Sequence, residues 1–436
     1  MQKMTIFAFC MKLSYAVIAI AALLMPLSAA SQTFDDYMRD FFSVPRLDEP
    51  VVEKTVAFDY DIRFDFAFIN NEYDSSNRQF SPSQTIAAVK ASPYIGVRIR
   101  HGDFGRHRVM VGVDVLKDFG AVLNFGKLFV DFSLWYQFDG VFGRNKLSAI
   151  AGIYPRYLCE GSYSSVIYSD YFRFYDNNFD GLLIKWRRPN AFYEIGLDWN
   201  GRKGPGRRER FNVFSSADAG ATSWLRFGWQ AMLQHYACTD ETPGIVVDEC
   251  FVNPWMRFDF AQMSGLQALS LTLGPYIAYQ NDRRFHAKPQ IPLGGDAVFL
   301  IRNWDVSIRN EFYYGQSMAP LWREIDGRDV IYATNLYYRD AFWQITLDNP
   351  KRFSYYDCLE AAYTPHICDF LDLKIAVKAH FLDGPKGPFA GWQQIATLTF
   401  DLQKLLDRDN RLKLRDSRER RRARRAASPT GPTTAL

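Results

Sequence analysis

From Ala57 to Phe68 the chain reads AFDYDIRFDFAF: Phe58, Tyr60, Ile62, Phe64, Phe66 and Phe68 alternate with Asp59, Asp61, Arg63, Asp65 and Ala67. A helix would scatter those charges around its circumference, whereas a period of two sorts them onto one face of a strand. The pattern recurs. In GVRIRHGDFGRHRVMVGVDV, Ile95, Val97 and Ile99 alternate with Arg98 and Arg100. Beyond the Gly-Asp-Phe-Gly turn, Val109, Val111, Val113 and Val115 alternate with Arg108 and Asp114. KLFVDFSLWYQF sets Leu128, Val130, Phe132, Leu134, Tyr136 and Phe138 against Asp131, Ser133 and Gln137. FYEIGLDW opposes Tyr193, Ile195, Leu197 and Trp199 to Glu194 and Asp198. WLRFGWQAML carries Arg226, PWMRFDF carries Arg257 and Asp259, and VSIRNEFYY carries Arg309 and Glu311. LDLKIAVKAHF opposes Leu371, Leu373, Ile375, Val377 and Phe381 to Asp372, Lys374, Lys378 and His380. WQQIATLTFDL places Trp392, Ala396, Leu398, Phe400 and Leu402 on one face.

The connections alternate too. Short turns such as HGDFGR, RRPN and RNWD join paired strands. Longer polar stretches, NNEYDSSNRQFSPS, GRKGPGRRER, QNDRRFHAKPQIPLGG and GQSMAPLWREIDGRD, separate the pairs. The runs number about 16 to 18, each of roughly ten residues, the length that crosses a bilayer at a tilt. Both termini on one side require an even number. Including FNVF and FSYYDCLEAAY brings the count to about 18, with Cys358 and Cys368 facing each other about a turn near Tyr363–Thr364. The best helix candidate is FDDYMRDFF, residues 34–42, and no propeller or solenoid repeat is visible. The expected fold class is all-β.

Composition narrows the class. The 436 residues are 48% hydrophobic, too apolar for disorder. Beyond the N-terminus, no stretch reaches the roughly 18 uncharged apolar residues of a membrane helix. At the start, KLSYAVIAIAALLMPLSAASQ has the Lys, apolar core and small residues of a secretory signal. The expected organisation is a signal peptide over 1–31, with Met11 an alternative initiator, then a periplasmic segment or plug over 32–55. A β-barrel is expected over 56–403, and a basic, disordered tail over 404–436. That tail holds eleven Lys/Arg against four Asp/Glu, so with a whole-chain charge of +4 the remainder is acidic. RERRRARR on an exported chain suits an anionic periplasmic partner better than nucleic acid.

A soluble sandwich would turn the aromatic faces inward. Export, alternation through nearly the whole mature chain, and long and short connections taking turns favour the inverse: apolar residues toward lipid, charges toward a wet lumen. On the lipid face each of these charges would cost about 2–4 kcal/mol at mid-depth, and closure removes the edges of a long open sheet. From Val56 to Leu402 the chain resembles the outer-membrane β-barrels of Gram-negative bacteria, the porin-like ones in particular. WQQIATLTFDL resembles the C-terminal signal read by the assembly machinery of that class, although this chain continues for more than thirty residues. The resemblance implies a transmembrane antiparallel up-and-down barrel in the outer membrane, with lipid around it and small polar solutes as its cargo.

The candidate pore-lining residues are Asp59, Asp61, Arg63, Asp65, Arg98, Arg100, Arg108, Asp114, Asp131, Glu194, Asp198, Arg226, Arg257, Asp259, Arg309, Glu311, Lys374 and Lys378. Arg100 and Arg108 should lie opposite each other, where like charges repel unless the acidic row of the first strand neutralises them. Acidic and basic zones in a wide lumen would filter polar solutes; the alternative is a charge ladder that seals the interior of a surface-binding or structural barrel. The loops GSYSSVIYSDYFRFYDNNFD and TDETPGIVVDE suit a binding surface; the alternative for both is a loop folded inward as a constriction, or a protective lid. A lipid-modifying enzyme would need a rim nucleophile or base, and only Ser317 in YGQSMAP and His235 in LQHYA offer themselves, without a nucleophile elbow. Export also suggests two local disulfides, Cys238–Cys250 and Cys358–Cys368, leaving Cys159. No zinc-type Cys/His spacing occurs and no cofactor is expected.

Overall fold

The computed structural model describes residues 56–73, 83–101, 105–122, 129–241, 246–284, 288–324, 332–345, 349–384, 387–402 and 404–405. The expected signal peptide, the 32–55 segment with its helix candidate, and nearly all of the basic tail lie outside these residues. The alternating runs fold as β1 (Val56–Tyr73), β2 (Gln84–His101), β3 (Gly105–Asp118), β4 (Phe129–Phe142), β5 (Asn145–Pro155) and β6 (Asn178–Arg188). They continue as β7 (Ala191–Gly201), β8 (Arg210–Gly220), β9 (Leu225–Tyr236), β10 (Val247–Asp259), β11 (Ala268–Asp282) and β12 (Leu293–Asn303). The last are β13 (Val306–Gly315), β14 (Ser354–Tyr363), β15 (His366–Cys368), β16 (Leu371–Gly384) and β17 (Gly387–Asp401). Each wall strand pairs antiparallel with its neighbours in sequence, and β17 pairs with β1, for example Phe64 opposite Phe400, so the sheet closes. The three-residue β15 pairs only with the end of β16, which leaves sixteen strands in the wall.

Alternation decides the faces. Phe58, Val97, Val109 and Tyr136 follow one another across β1 to β4 in register, and all are largely exposed, Phe58 at 66%. Their neighbours point the other way: Asp59, Asp114 and Glu194 are 4%, 0% and 0% exposed. In a soluble protein that ordering would be inverted. An outer belt of Phe, Val, Leu, Ile and Tyr around a charged interior is stable only with hydrocarbon outside. The chain is therefore a transmembrane barrel of the outer-membrane type.

One rim carries close connections: β6–β7 turns through Pro189 and Asn190, and β12–β13 through Trp304 and Asp305. Trp304 and Asp305 both have positive φ, 49° and 62°, the twist that matches a two-residue hairpin. This is the turn end, and both ends of the barrel chain reach it. The other rim, the loop end, carries the long connections 156–177 and 316–353.

Several expectations are corrected. FSYYDCLEAAY is the strand β14, as counted, but the turn after it does not centre on Tyr363–Thr364: β14 pairs with β16, Tyr363 opposite Ile375, so the hairpin turns about residue 369. Cys358 sits opposite His380 and Cys368 opposite Leu371. At about 3.3 Å per residue those positions are roughly 30 Å apart along β16, far beyond the ~7 Å between Cα atoms that a disulfide spans. Cys250 lies opposite Leu233, well inside the β9–β10 pairing, while Cys238 lies beyond the end of β9. All five described cysteines are free thiols. Finally, Arg108 faces Arg98, and Arg100 faces Arg106, a register two residues from the one expected.

Candidate functional site: an interior narrowed by two loops

The connection between β5 and β6 folds into the barrel. It opens with a single turn of 3-10 helix, Arg156–Leu158, and contains α1 (Asp170–Tyr175), whose N-cap Ser169 accepts from the Phe172 amide at 3.2 Å. Glu194 on β7 anchors its root. The carboxylate accepts from the Glu160 amide at 2.7 Å, the Gly161 amide at 3.1 Å and the Tyr163 hydroxyl at 2.8 Å. Residue 161 must be glycine for this approach, because a Cβ would lie 2.6 Å from both Glu194 Oε1 and Ser216 Cβ. Lys185 donates to the Leu158 carbonyl at 2.7 Å and to Glu160 at 2.8 Å.

The loop then crosses the lumen. Tyr157 donates to Asp61 on β1 at 2.7 Å, and Arg63 lies over its ring at 5.0 Å. The Arg156 guanidinium lies 3.9 Å from the centre of the Phe179 ring, 3.0 Å from Asp176 and 3.5 Å from Asp198. Lys90 on β2 donates to the Phe174 carbonyl at 2.8 Å and to Asn177 at 2.9 Å. On the far side, Asp170 pairs with Lys378 of β16. The lysine holds the Asp170 carboxyl well below the usual carboxylate range, against the opposing effect of burial.

The described residues of the connection between β13 and β14 also pack inside the barrel at the loop half. Met318, Leu321, Trp322, Tyr332, Tyr337, Phe342 and Trp343 are buried in one cluster with the inward wall residues Phe251, Tyr276, Tyr313 and Tyr356. The Trp343 ring centre is 5.3, 5.2 and 5.4 Å from those of Tyr276, Tyr313 and Tyr356, edge to face. Phe342 stacks on His380 at 4.2 Å. Arg339 forms an ion pair with Glu249 of β10, both side chains fully buried, and donates to the Met318 carbonyl at 2.6 Å. The loops also bind each other. The Ser169 amide donates to Tyr338 O at 2.8 Å, the Asp340 amide to Ser165 O at 3.0 Å, and Phe172 stacks on Tyr338 at 4.2 Å.

Every sequence-selected pore residue falls on an inward position of its strand, yet the group divides in two. Asp61, Asp114, Asp131, Glu194, Asp198 and Lys378 hold the first loop or the segment that follows it; Asp114 and Asp131 both accept from Asn178 at 2.7 Å. The others form wall pairs: Arg63 with Asp65 (3.0 Å), Arg108 with Asp59 (2.7 Å), Arg226 with Asp218 (2.6 Å), Arg309 with Glu311 (2.9 Å) and Lys374 with Glu360 (3.0 Å). Arg257 is 3.8 Å from Asp218, and Asp259 caps the turn at Ala261. The Asp59 contact is the acidic neutralisation expected beside Arg108. Arg98 and Arg100 share the same inward row.

Sequence reasoning missed Lys90, Asp170, Asp176, Glu249, Arg339 and Asp340. The available signal was the aromatic density of 322–343, which is high for a connection and marks a buried one. Of the tryptophans, Trp199 and Trp229 face outward, whereas Trp135 and Trp255 face inward. Ser317 is buried at the root of the second loop and His235 lies on the outer wall against Phe211, so the barrel wall separates them. A cavity of about 310 Å³ remains between the first loop and the wall, lined by Lys90, Asp114, Asp131, Tyr175, Asp176 and Asn177.

The architecture is that of the porin-like outer-membrane barrels: sixteen antiparallel strands, an apolar belt and loops folded into the lumen. No protein-family model and no curated protein matches the chain. Among solved structures it is similar to a loop-deletion mutant of OmpT, an outer-membrane protein of Vibrio cholerae, at 8% identity over 80% of this chain and 100% of that one, TM-score 0.47. It is also similar to Salmonella typhi OmpF, at 8% identity, 79% and 97% coverage and TM-score 0.44. Pseudomonas putida OprB gives 10% identity, 79% and 94% coverage and TM-score 0.43.

Proposed function

We propose that this chain is an outer-membrane channel for small polar solutes, restricted by its two inward loops. One observation carries the reading. Arg63, Lys374 and Arg309 face inward near the turn end, yet their side chains are 29%, 30% and 35% exposed. Water therefore reaches the interior below the loops, and charged rows of both signs line it. Above that level the two loops pack against the wall and each other inside the barrel, which makes small solutes the fitting cargo and selection by size and charge the fitting mechanism.

The aromatic packing around Trp343 favours a second reading, a barrel that does not conduct at rest and serves as a structural or surface-binding protein. Planar-bilayer recording of the folded full chain separates the two. Small, discrete current steps with an ion-dependent reversal potential support the channel. A silent bilayer containing inserted, folded protein overturns it.

A further inference from the structure

We propose that His101 and His107 form a divalent transition-metal site on the outer wall at the turn end. The two residues come from β2 and β3, where Ile99 faces His107 and His101 faces Gly105, so the imidazoles are diagonal neighbours on one face. His101 Nδ1 lies 3.2 Å from His107 Nε2, with the ring centres 5.4 Å apart. Two nitrogens each bound at about 2.0–2.1 Å to a tetrahedral metal would be about 3.3 Å apart. The pair already has that bite.

A second observation orients it. The other nitrogen of His107, Nδ1, is 2.7 Å from the Tyr136 hydroxyl, and the ring packs against Phe138 at 5.2 Å between centres. With Nδ1–H donating to the tyrosine oxygen, Nε2 presents its lone pair toward His101; this is the arrangement that fixes tautomer and orientation in histidine metal sites. In the metal-free protein His101 Nδ1–H can donate to that lone pair. Metal entry then requires that His101 carry its proton on Nε2 instead and that the two rings turn until both lone pairs converge on the ion. Both rings stay neutral and no net proton is released.

Among the described residues no group of three or more His, Cys, Asp or Glu side chains gathers for a metal. The site is thus a two-imidazole clip completed by water, open because His101 is exposed. Imidazole donors select Zn²⁺, Cu²⁺ or Ni²⁺ over Mg²⁺ or Ca²⁺. A bound ion would fasten the end of the β2–β3 hairpin, away from the interior.

The test is calorimetric titration of Zn²⁺ into tag-free, detergent-folded full chain with its thiols capped, with Mg²⁺ as the comparison ion. One saturable Zn²⁺ equivalent is expected. It should be lost in His101→Ala and in His107→Ala, weakened roughly tenfold or more in Tyr136→Phe, and kept in His366→Ala, which alters an exposed histidine elsewhere. His101→Ala lies at an exposed strand end, so it keeps the test readable if His107→Ala misfolds. Absence of saturable binding, or binding unchanged in His101→Ala, overturns the proposal.

Discussion

Lys378, on the interior face of β16, is paired with Asp170 of α1, 208 positions away in the chain. The first loop is rooted at Glu194 on the opposite side, so this contact makes it a bridge across the lumen rather than a flap along one wall. Lys378→Met should free the helix end and enlarge the path. Single-channel conductance is expected to rise, with less change in Arg226→Met, whose Asp218 partner belongs to the wall. Equal conductance in wild type and Lys378→Met would remove the bridge from the account.

Arg339 and Glu249 are both fully buried, so removing one partner strands the other charge at a cost of about 3–5 kcal/mol. Arg339→Met and Glu249→Gln should each loosen the second loop, seen as faster protease cleavage within 316–353. The double replacement should be closer to wild type than Arg339→Met, because no uncompensated carboxylate remains. Additive damage would mean that the two residues act separately.

Docking of the second loop should depend on pH through Asp340. Burial, then the nearby Asp170 carboxylate, pushes the Asp340 carboxyl from 3.8 up to about 7, while Lys378 and Arg173 pull the other way and Glu311 adds to the push. The docked state therefore holds the proton more tightly than the released one. That contribution is complete below the unperturbed value and is lost as pH rises through about 7. Asp170 runs oppositely, its contribution fading only under acid conditions below the ordinary carboxylate range. Hydrogen exchange in 332–345, corrected for intrinsic rates, should increase from pH 6 to pH 8 in wild type. In Asp340→Asn that increase should be absent.

The cysteines give a chemical check. Cys159, Cys238, Cys250, Cys358 and Cys368 should all take up alkylating reagent in unfolded, unreduced protein. A mass lower by a pair of labels would restore one of the bridges expected from spacing.

Much of the wall was legible in the sequence because a period of two survives translation into structure without tertiary help. Asp59 and Phe58, or Lys378 and Val377, declare their faces locally. Register was less legible: Arg108 faces Arg98 because the turn is shorter than the charge pattern suggests. The turn after FSYYDCLEAAY was misplaced as well: that strand's hairpin with β16 closes about residue 369 rather than at Tyr363–Thr364, which only the cross-strand partners reveal. The interior was least legible. Asp170–Lys378 and Arg339–Glu249 join residues far apart in sequence, and no local pattern encodes such contacts. The cysteine spacings misled for the same reason, since closeness along a strand is distance in space.

The face assignment underlies every functional statement above, and site-directed labelling tests it most directly. In a cysteine-free background, Val377→Cys on β16 and Thr397→Cys on β17 place thiols on opposite faces of adjacent strands. Reconstituted into liposomes, Thr397→Cys should react with a charged, water-soluble methanethiosulfonate. Val377→Cys should react only with a lipid-soluble maleimide. The reverse pattern, or equal reaction of both with the charged reagent, would contradict a barrel with hydrocarbon outside and water within.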